Sequence, residues 1–168
     1  MKIALLFFSL LSFTGNSSAQ SVEIRVGRSL ALADYAALRY EANTNAHLSY
    51  SASFFMQRTR INGLNYSAYG MDMMAVYATN LAAHTGDVFA CKFSLGPSCQ
   101  FENEPWVYAG LKTNQKINYG LAAEATLEWA MTDAFNLTTF VQQKYLINTN
   151  LGNTRFVFGL GLKINFGN

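Results

Sequence analysis

The chain has 168 residues, a formal net charge of +2, 13% charged residues and 14% aromatic ones. A balance so close to neutral leaves no basic footprint for nucleic acid, so direct nucleic-acid binding is not expected. No stretch approaches the roughly 18 continuous apolar positions of a spanning helix, so none is expected.

The chain opens with an export signal. Lys2 is the positive start, Ile3–Phe13 is an apolar stretch of 11 residues, and Ser17, Ser18 and Ala19 are small residues suited to cleavage. The pattern assigns residues 1–19 to a signal peptide and starts the mature domain at Gln20, exported by the general secretory route. No Cys follows the cleavage site, so lipid anchoring is not expected.

Turn signals divide residues 20–168 into eight segments of alternating character. Strand one is expected over about Val22–Leu30, with Val22, Ile24 and Val26 opposite Glu23 and Arg25. Strand two spans about Tyr35–Asn43; Ala36, Leu38, Tyr40 and Ala42 oppose Arg39 and Glu41. After Thr44-Asn45, strand three spans about Ala46–Arg60, with Leu48, Tyr50, Ala52, Phe54 and Met56 opposite His47, Ser49, Ser51, Ser53 and Gln57. Asn62-Gly63 is a strong hairpin turn, because both residues tolerate positive φ. Strand four, about Leu64–Thr79, opposes Tyr69, Met71, Met73, Ala75 and Tyr77 to Asp72. A turn follows over 80–86, and strand five spans about Val88–Leu95, with Phe89, Cys91, Phe93 and Leu95 opposite Lys92 and Ser94.

Gly96–Lys116 holds both prolines and Trp106 and reads as the longest irregular stretch, a loop. Strand six is expected over about Ile117–Met131, with Tyr119, Leu121, Ala123, Ala125, Leu127 and Trp129 opposite Glu124, Thr126 and Glu128. Thr132-Asp133 turns the chain into strand seven, about Phe135–Ile147, whose polar side carries Asn136, Thr138, Gln142 and Lys144. After a turn over Asn148–Asn153, strand eight, Arg155–Phe166, alternates throughout. Phe156, Phe158, Leu160, Leu162, Ile164 and Phe166 share one face; Arg155, Val157, Gly159, Gly161, Lys163 and Asn165 share the other.

Eight strands form the smallest common transmembrane barrel, and closure pairs every backbone donor and acceptor where no water can. The expected fold is therefore all-β: an eight-stranded antiparallel up-and-down transmembrane β-barrel after a cleaved signal peptide, in the outer membrane of a Gram-negative bacterium. With the N-terminus in the periplasm, the long 96–116 loop lies outside the cell and Thr44-Asn45 and Thr132-Asp133 lie inside. Tyr119 and Trp129, near opposite ends of strand six, fall where aromatic girdles belong. A soluble barrel with aromatics filling its core is the alternative reading.

The inward faces carry six cations, Arg25, Arg39, Lys92, Lys144, Arg155 and Lys163, and five anions, Glu23, Glu41, Asp72, Glu124 and Glu128. A lumen of eight strands is just wide enough for side chains to fill, so these charges are expected to pair into a structural network that plugs the barrel. A proton or ion path is the competing reading. Chemistry finds little support. His47 and Ser49 share a face, as an activated nucleophile would require, but no carboxylate in the local sequence orients the imidazole, and both point into the lumen near the periplasmic end. No zinc spacing, phosphate loop or calcium loop occurs. No catalytic residue, cofactor or metal is expected. Cys91, within a strand, and Cys99, read as loop, would meet an oxidising compartment that permits a disulfide; the spacing leaves pairing open.

The run Tyr119-Gly120-Leu121-Ala122-Ala123-Glu124-Ala125-Thr126-Leu127-Glu128-Trp129-Ala130-Met131-Thr132-Asp133, then strand seven, then Gly159-Leu160-Gly161-Leu162-Lys163, resembles the TraO family of conjugal transfer proteins. The shared pattern is a Thr-Leu-Glu strand, a Leu-Thr-Asp-type turn and a Gly-x-Gly-Leu-Lys ending, over about 50 residues. Ala134 stands where that family has a basic residue, and Gln142-Gln143-Lys144 where it has an Arg-rich segment. The resemblance implies a non-enzymatic accessory barrel of a conjugative DNA-transfer apparatus, carried by conjugative transposons. It implies other transfer proteins as partners, beside outer-membrane lipid and the outer-membrane assembly machinery. In that family setting Thr132, Asp133, Gly159, Gly161, Leu162 and Lys163 would fix strand geometry. A general surface, adhesion or envelope-integrity barrel is the alternative, followed by a lipid-modifying enzyme and a soluble ligand-binding barrel.

Overall fold

The computed structural model describes residues 19–30, 33–44, 47–61, 64–80, 89–104, 114–149 and 153–166. The expected export signal lies outside the described residues except for Ala19, which already opens the first strand; His84 and most of the 80–86 turn lie outside them too.

Eight strands follow in order: β1 (Ala19–Ser29), β2 (Asp34–Asn43), β3 (Leu48–Ile61), β4 (Leu64–Asn80), β5 (Phe89–Glu104), β6 (Asn114–Ala130), β7 (Phe135–Ile147) and β8 (Thr154–Phe166). Each pairs antiparallel with the next, and β8 returns to β1 to close the barrel. The pairings also fix the tilt. Starting at Ala19, partners run through Asn43, Ser49, Val76, Ser94, Glu124, Gln142 and Val157 and return to β1 at Ser29. The circuit comes back ten residues along the same strand (29 minus 19), so the strands are strongly sheared and lean roughly 35–45° from the barrel axis.

Burial follows the period of two, but in reverse of a water-soluble core. Along β7 every second residue from Asn136 to Leu146 is buried, and the residues between face out. Leu121 is 59% exposed and Phe93 55%, whereas Lys144 and Asp72 are both 0% exposed. Such a wall suits hydrocarbon outside and a polar interior, and the reversal removes the soluble-core reading of the aromatics. Trp129 and Tyr119 both face outward, ten positions apart on β6, which at this tilt separates them by roughly 25 Å, the height of an apolar belt. Phe89 stacks on Trp129 with ring centroids 5.9 Å apart, thickening the girdle at the end that holds both chain termini.

The structure corrects the reading of Gly96–Lys116 as loop. β5 continues to Glu104 and β6 begins at Asn114, so the connection shrinks to 105–113, outside the described residues. Pro97 was the misleading residue. It faces out, and having no N–H it interrupts the β4–β5 ladder only between the Asp72–Ser98 and Ala75–Leu95 pairs. On its other side it stays in register with Leu121. The same extension settles the cysteines. Cys91 and Cys99 are free and lie eight residues apart on one strand. That is roughly 26 Å of strand, against the Cα separation of about 7 Å that a disulfide tolerates.

Candidate functional site: the charged lumen

Alternation aims every other side chain of eight strands at one axis, so the inward charges meet in layers. At the end holding the chain termini, Lys92 Nζ lies 2.9 Å from Glu41 and 2.8 Å from Glu128. Lys163 Nζ lies 3.3 Å from Glu41 and 3.2 Å from Glu128, closing a four-membered ring. Ser49 Oγ donates to Glu41 at 2.9 Å, and the Asn136 amide donates to Glu128. In the next layer, Glu124 holds Arg25 at 2.7 Å and also Arg39, while Thr126 donates to it at 3.0 Å. Arg25 Nε sits 2.9 Å from Glu23, without the alignment of a hydrogen bond, and Thr138 donates to the same carboxylate.

Higher still, Lys144 Nζ lies 2.8 Å from Asp72, and Gln142 donates to Asp72 at 3.1 Å. Nearest the β5–β6 connection, Arg155 lies 3.2 Å from Glu102, and Gln100 donates to Glu102 at 2.5 Å. Thr149 donates to Glu102 at 3.3 Å and accepts from Arg155 at 3.1 Å.

Glu102 is the residue that sequence reasoning missed. Among the described residues it makes a sixth lumen anion against six cations, and all twelve groups take part in ion pairs. The signal was present: Ser98, Gln100 and Glu102 alternate with Cys99, Phe101 and Asn103 straight past Pro97.

An apolar plug was also missed. Tyr35, Ala37, Phe55, Phe140 and Val157 form a buried cluster within the lumen. The Tyr35 ring is 6.0 Å from Phe55 and 5.8 Å from Phe140. Cations cap it: the Arg25 guanidinium is 4.6 Å from the Phe140 centroid and Lys144 Nζ is 3.2 Å from that of Phe55. Glycines make room for the packing. The Phe55 ring lies where Gly70 has no side chain, and Glu23 and Thr138 occupy the space a Cβ on Gly161 would need.

The remaining sequence candidates do not assemble. His47 is exposed at the rim, before β3, not in the lumen; its Nδ1 lies 3.3 Å from Ala78 O and its ring 6.2 Å from that of Tyr77. β3 begins at Leu48, two residues later than the alternation suggested, which leaves the imidazole outside the strand. Ser49 is committed to Glu41, so no His–Ser dyad forms. The TraO-like positions scatter. Thr132 Oγ1 accepts from Phe135 N at 3.0 Å in the β6–β7 turn and Asp133 is exposed beside it. Gly159 lies under the Phe140 ring, Gly161 under Glu23, Leu162 faces out, and Lys163 belongs to the ionic ring. Among the described residues, no group of three or more His, Cys, Asp or Glu is placed to hold a metal ion. A groove of about 570 Å³ opens on the outer wall, lined by Leu38, Tyr50, Phe54, Met73 and Leu95.

No family model and no curated protein matches this chain. The fold is that of small outer-membrane barrels. The N-terminal β-barrel domain of Pseudomonas aeruginosa OprF is similar, with a TM-score of 0.68 and 15% identity over 89% of this chain and 98% of that one. Ail, the attachment invasion locus protein of Yersinia pestis, gives 0.62 and 13% over 90% and 100%. The outer membrane enzyme PagL gives 0.53 and 14% over 86% and 98%. At these identities the likeness establishes architecture, and function rests on the site.

Proposed function

We propose that the chain is a non-enzymatic barrel of a Gram-negative outer membrane that works as a scaffold, presenting its rim and connections to protein partners. The observation that carries this is the lumen: its described charged groups balance and pair with one another beneath an apolar outer wall. A charged channel would leave one sign in excess along an open path, and a hydrolase would keep a base beside its nucleophile. Here the serine nearest a histidine in sequence is bonded to a carboxylate of the ionic ring.

The TraO-like segments, 119–133 and 159–163, favour a conjugative DNA-transfer apparatus as the setting, with other transfer proteins as partners. The gene is deleted in a donor strain, complemented on a plasmid, and conjugation frequency is measured. A large, complemented loss of transfer supports this role; unchanged transfer ends it. Likeness of fold to Ail favours a second reading, surface attachment or envelope integrity. In that case the deletion leaves transfer intact but lowers cell adhesion or raises detergent sensitivity. A change of lipid A mass on deletion would contradict the non-enzymatic reading.

A further inference from the structure

Unmatched polar side chains are concentrated at the end of the lumen nearest the β5–β6 connection. Gln57 on β3, Ser98 and Gln100 on β5 and Asn118 on β6 point inward, and all are 6% exposed or less. Five of their polar atoms have no hydrogen-bond partner among the described residues: Gln57 Nε2, Ser98 Oγ, Gln100 Oε1, and both amide atoms of Asn118. Asn118 stands opposite Gln100 in the β5–β6 register, Gln100 opposite Gly70, and Ser98 opposite Asp72. Two ion pairs bound this region. Glu102–Arg155 crosses from β5 to β8 on the connection side, and Asp72–Lys144 crosses from β4 to β7 on the plug side, with Phe55 against Lys144.

Buried polar atoms left unmatched forfeit their hydration without return, and proteins answer such clusters with bound water. We propose that this end of the lumen is a water-binding site: a small cluster of ordered water held by Gln57, Ser98, Gln100 and Asn118 between the two ion pairs.

The chemistry of the five atoms selects the occupant. The amide nitrogens of Gln57 and Asn118 donate, the amide oxygens of Gln100 and Asn118 accept, and the Ser98 hydroxyl does both. An anion would use only the donors and a cation only the acceptors. The neighbouring charges already balance, Glu102 with Arg155 and Asp72 with Lys144. Water matches the mixture and adds no charge. The site therefore makes the lumen two-part, wet beyond the Asp72–Lys144 pair and closed by the aromatic plug and the ionic layers below it.

A crystal structure of the full barrel in detergent, at a resolution that reveals ordered water, tests this directly. Density within about 2.7–3.2 Å of at least two of the five atoms is the expected result. Side chains rearranged to bond one another with no density between them would overturn it. Urea unfolding of Asn118→Leu gives an independent sign. If water bridges these groups, the apolar replacement strands its neighbours and lowers the midpoint by about 0.5 M or more. If the amide is a true orphan, removing it leaves the midpoint unchanged or raises it, and the proposal fails.

Discussion

The ionic ring and the Asp72–Lys144 pair both lie inside the barrel, yet they hold charge in different ways. In the ring, Glu41 and Glu128 each face two ammonium groups, and Lys92 and Lys163 each face two carboxylates. In the pair, each group has one opposite charge in an ion pair, and both are 0% exposed. A shared network tolerates the loss of one member, because those left remain partly compensated. An isolated buried pair does not, because removing one partner leaves the other charge in a low-dielectric interior.

The largest expected effect follows from that difference. Asp72→Ala strands the Lys144 ammonium and should cost about 3–5 kcal/mol in urea unfolding of the refolded barrel. The double variant Asp72→Leu, Lys144→Met should recover most of that loss, since well-packed apolar groups often match a buried pair. A double variant as unstable as the single would show that the pair also sets the packing of Phe55. Next comes Gly161→Val, which drives a side chain into Glu23 and Thr138; about 1–3 kcal/mol is expected, read by the same unfolding assay. Glu128→Gln breaks one corner of the ring and should cost only about 1–2 kcal/mol, with Glu41 still holding both lysines. Equal losses for Glu128→Gln and Asp72→Ala would erase the distinction between ring and pair. The smallest effect belongs to Arg28→Ala. Its pair with Asp34, 3.5 Å apart, joins side chains 60% and 83% exposed, and stability should change by less than about 0.5 kcal/mol.

Much of this architecture is legible in the sequence because membrane-barrel strands obey a period of two, and a face read as polar really is the inner one. Eleven of the inward charges follow from parity alone: Arg25 from Ile24 and Val26, Glu124 from Ala123 and Ala125. What parity hides is an apolar residue on the polar face. Phe54-Phe55 sends one ring to each side of the wall, so Phe55 vanished among apolar neighbours, although it anchors the plug. Pro97 hid Glu102, because a proline reads as the end of a strand even where its missing N–H costs only a local gap in one ladder. The layering of charges was beyond reach for another reason. It depends on a ten-residue shear that emerges only when all eight pairings are known. The Gly159–Lys163 segment looks like one motif in sequence, but its residues serve the plug, the outer wall and the ionic ring.

The reversed polarity of the wall is the claim on which the rest depends, and cell fractionation tests it most directly. The protein, expressed from its own gene, is sought in separated membrane and periplasmic fractions and run on a denaturing gel with and without boiling. Recovery in the outer-membrane fraction, with the unboiled sample migrating as a compact species that boiling converts to a slower one, is the predicted result. Recovery as a soluble periplasmic protein, with no such shift, would contradict an apolar wall facing lipid.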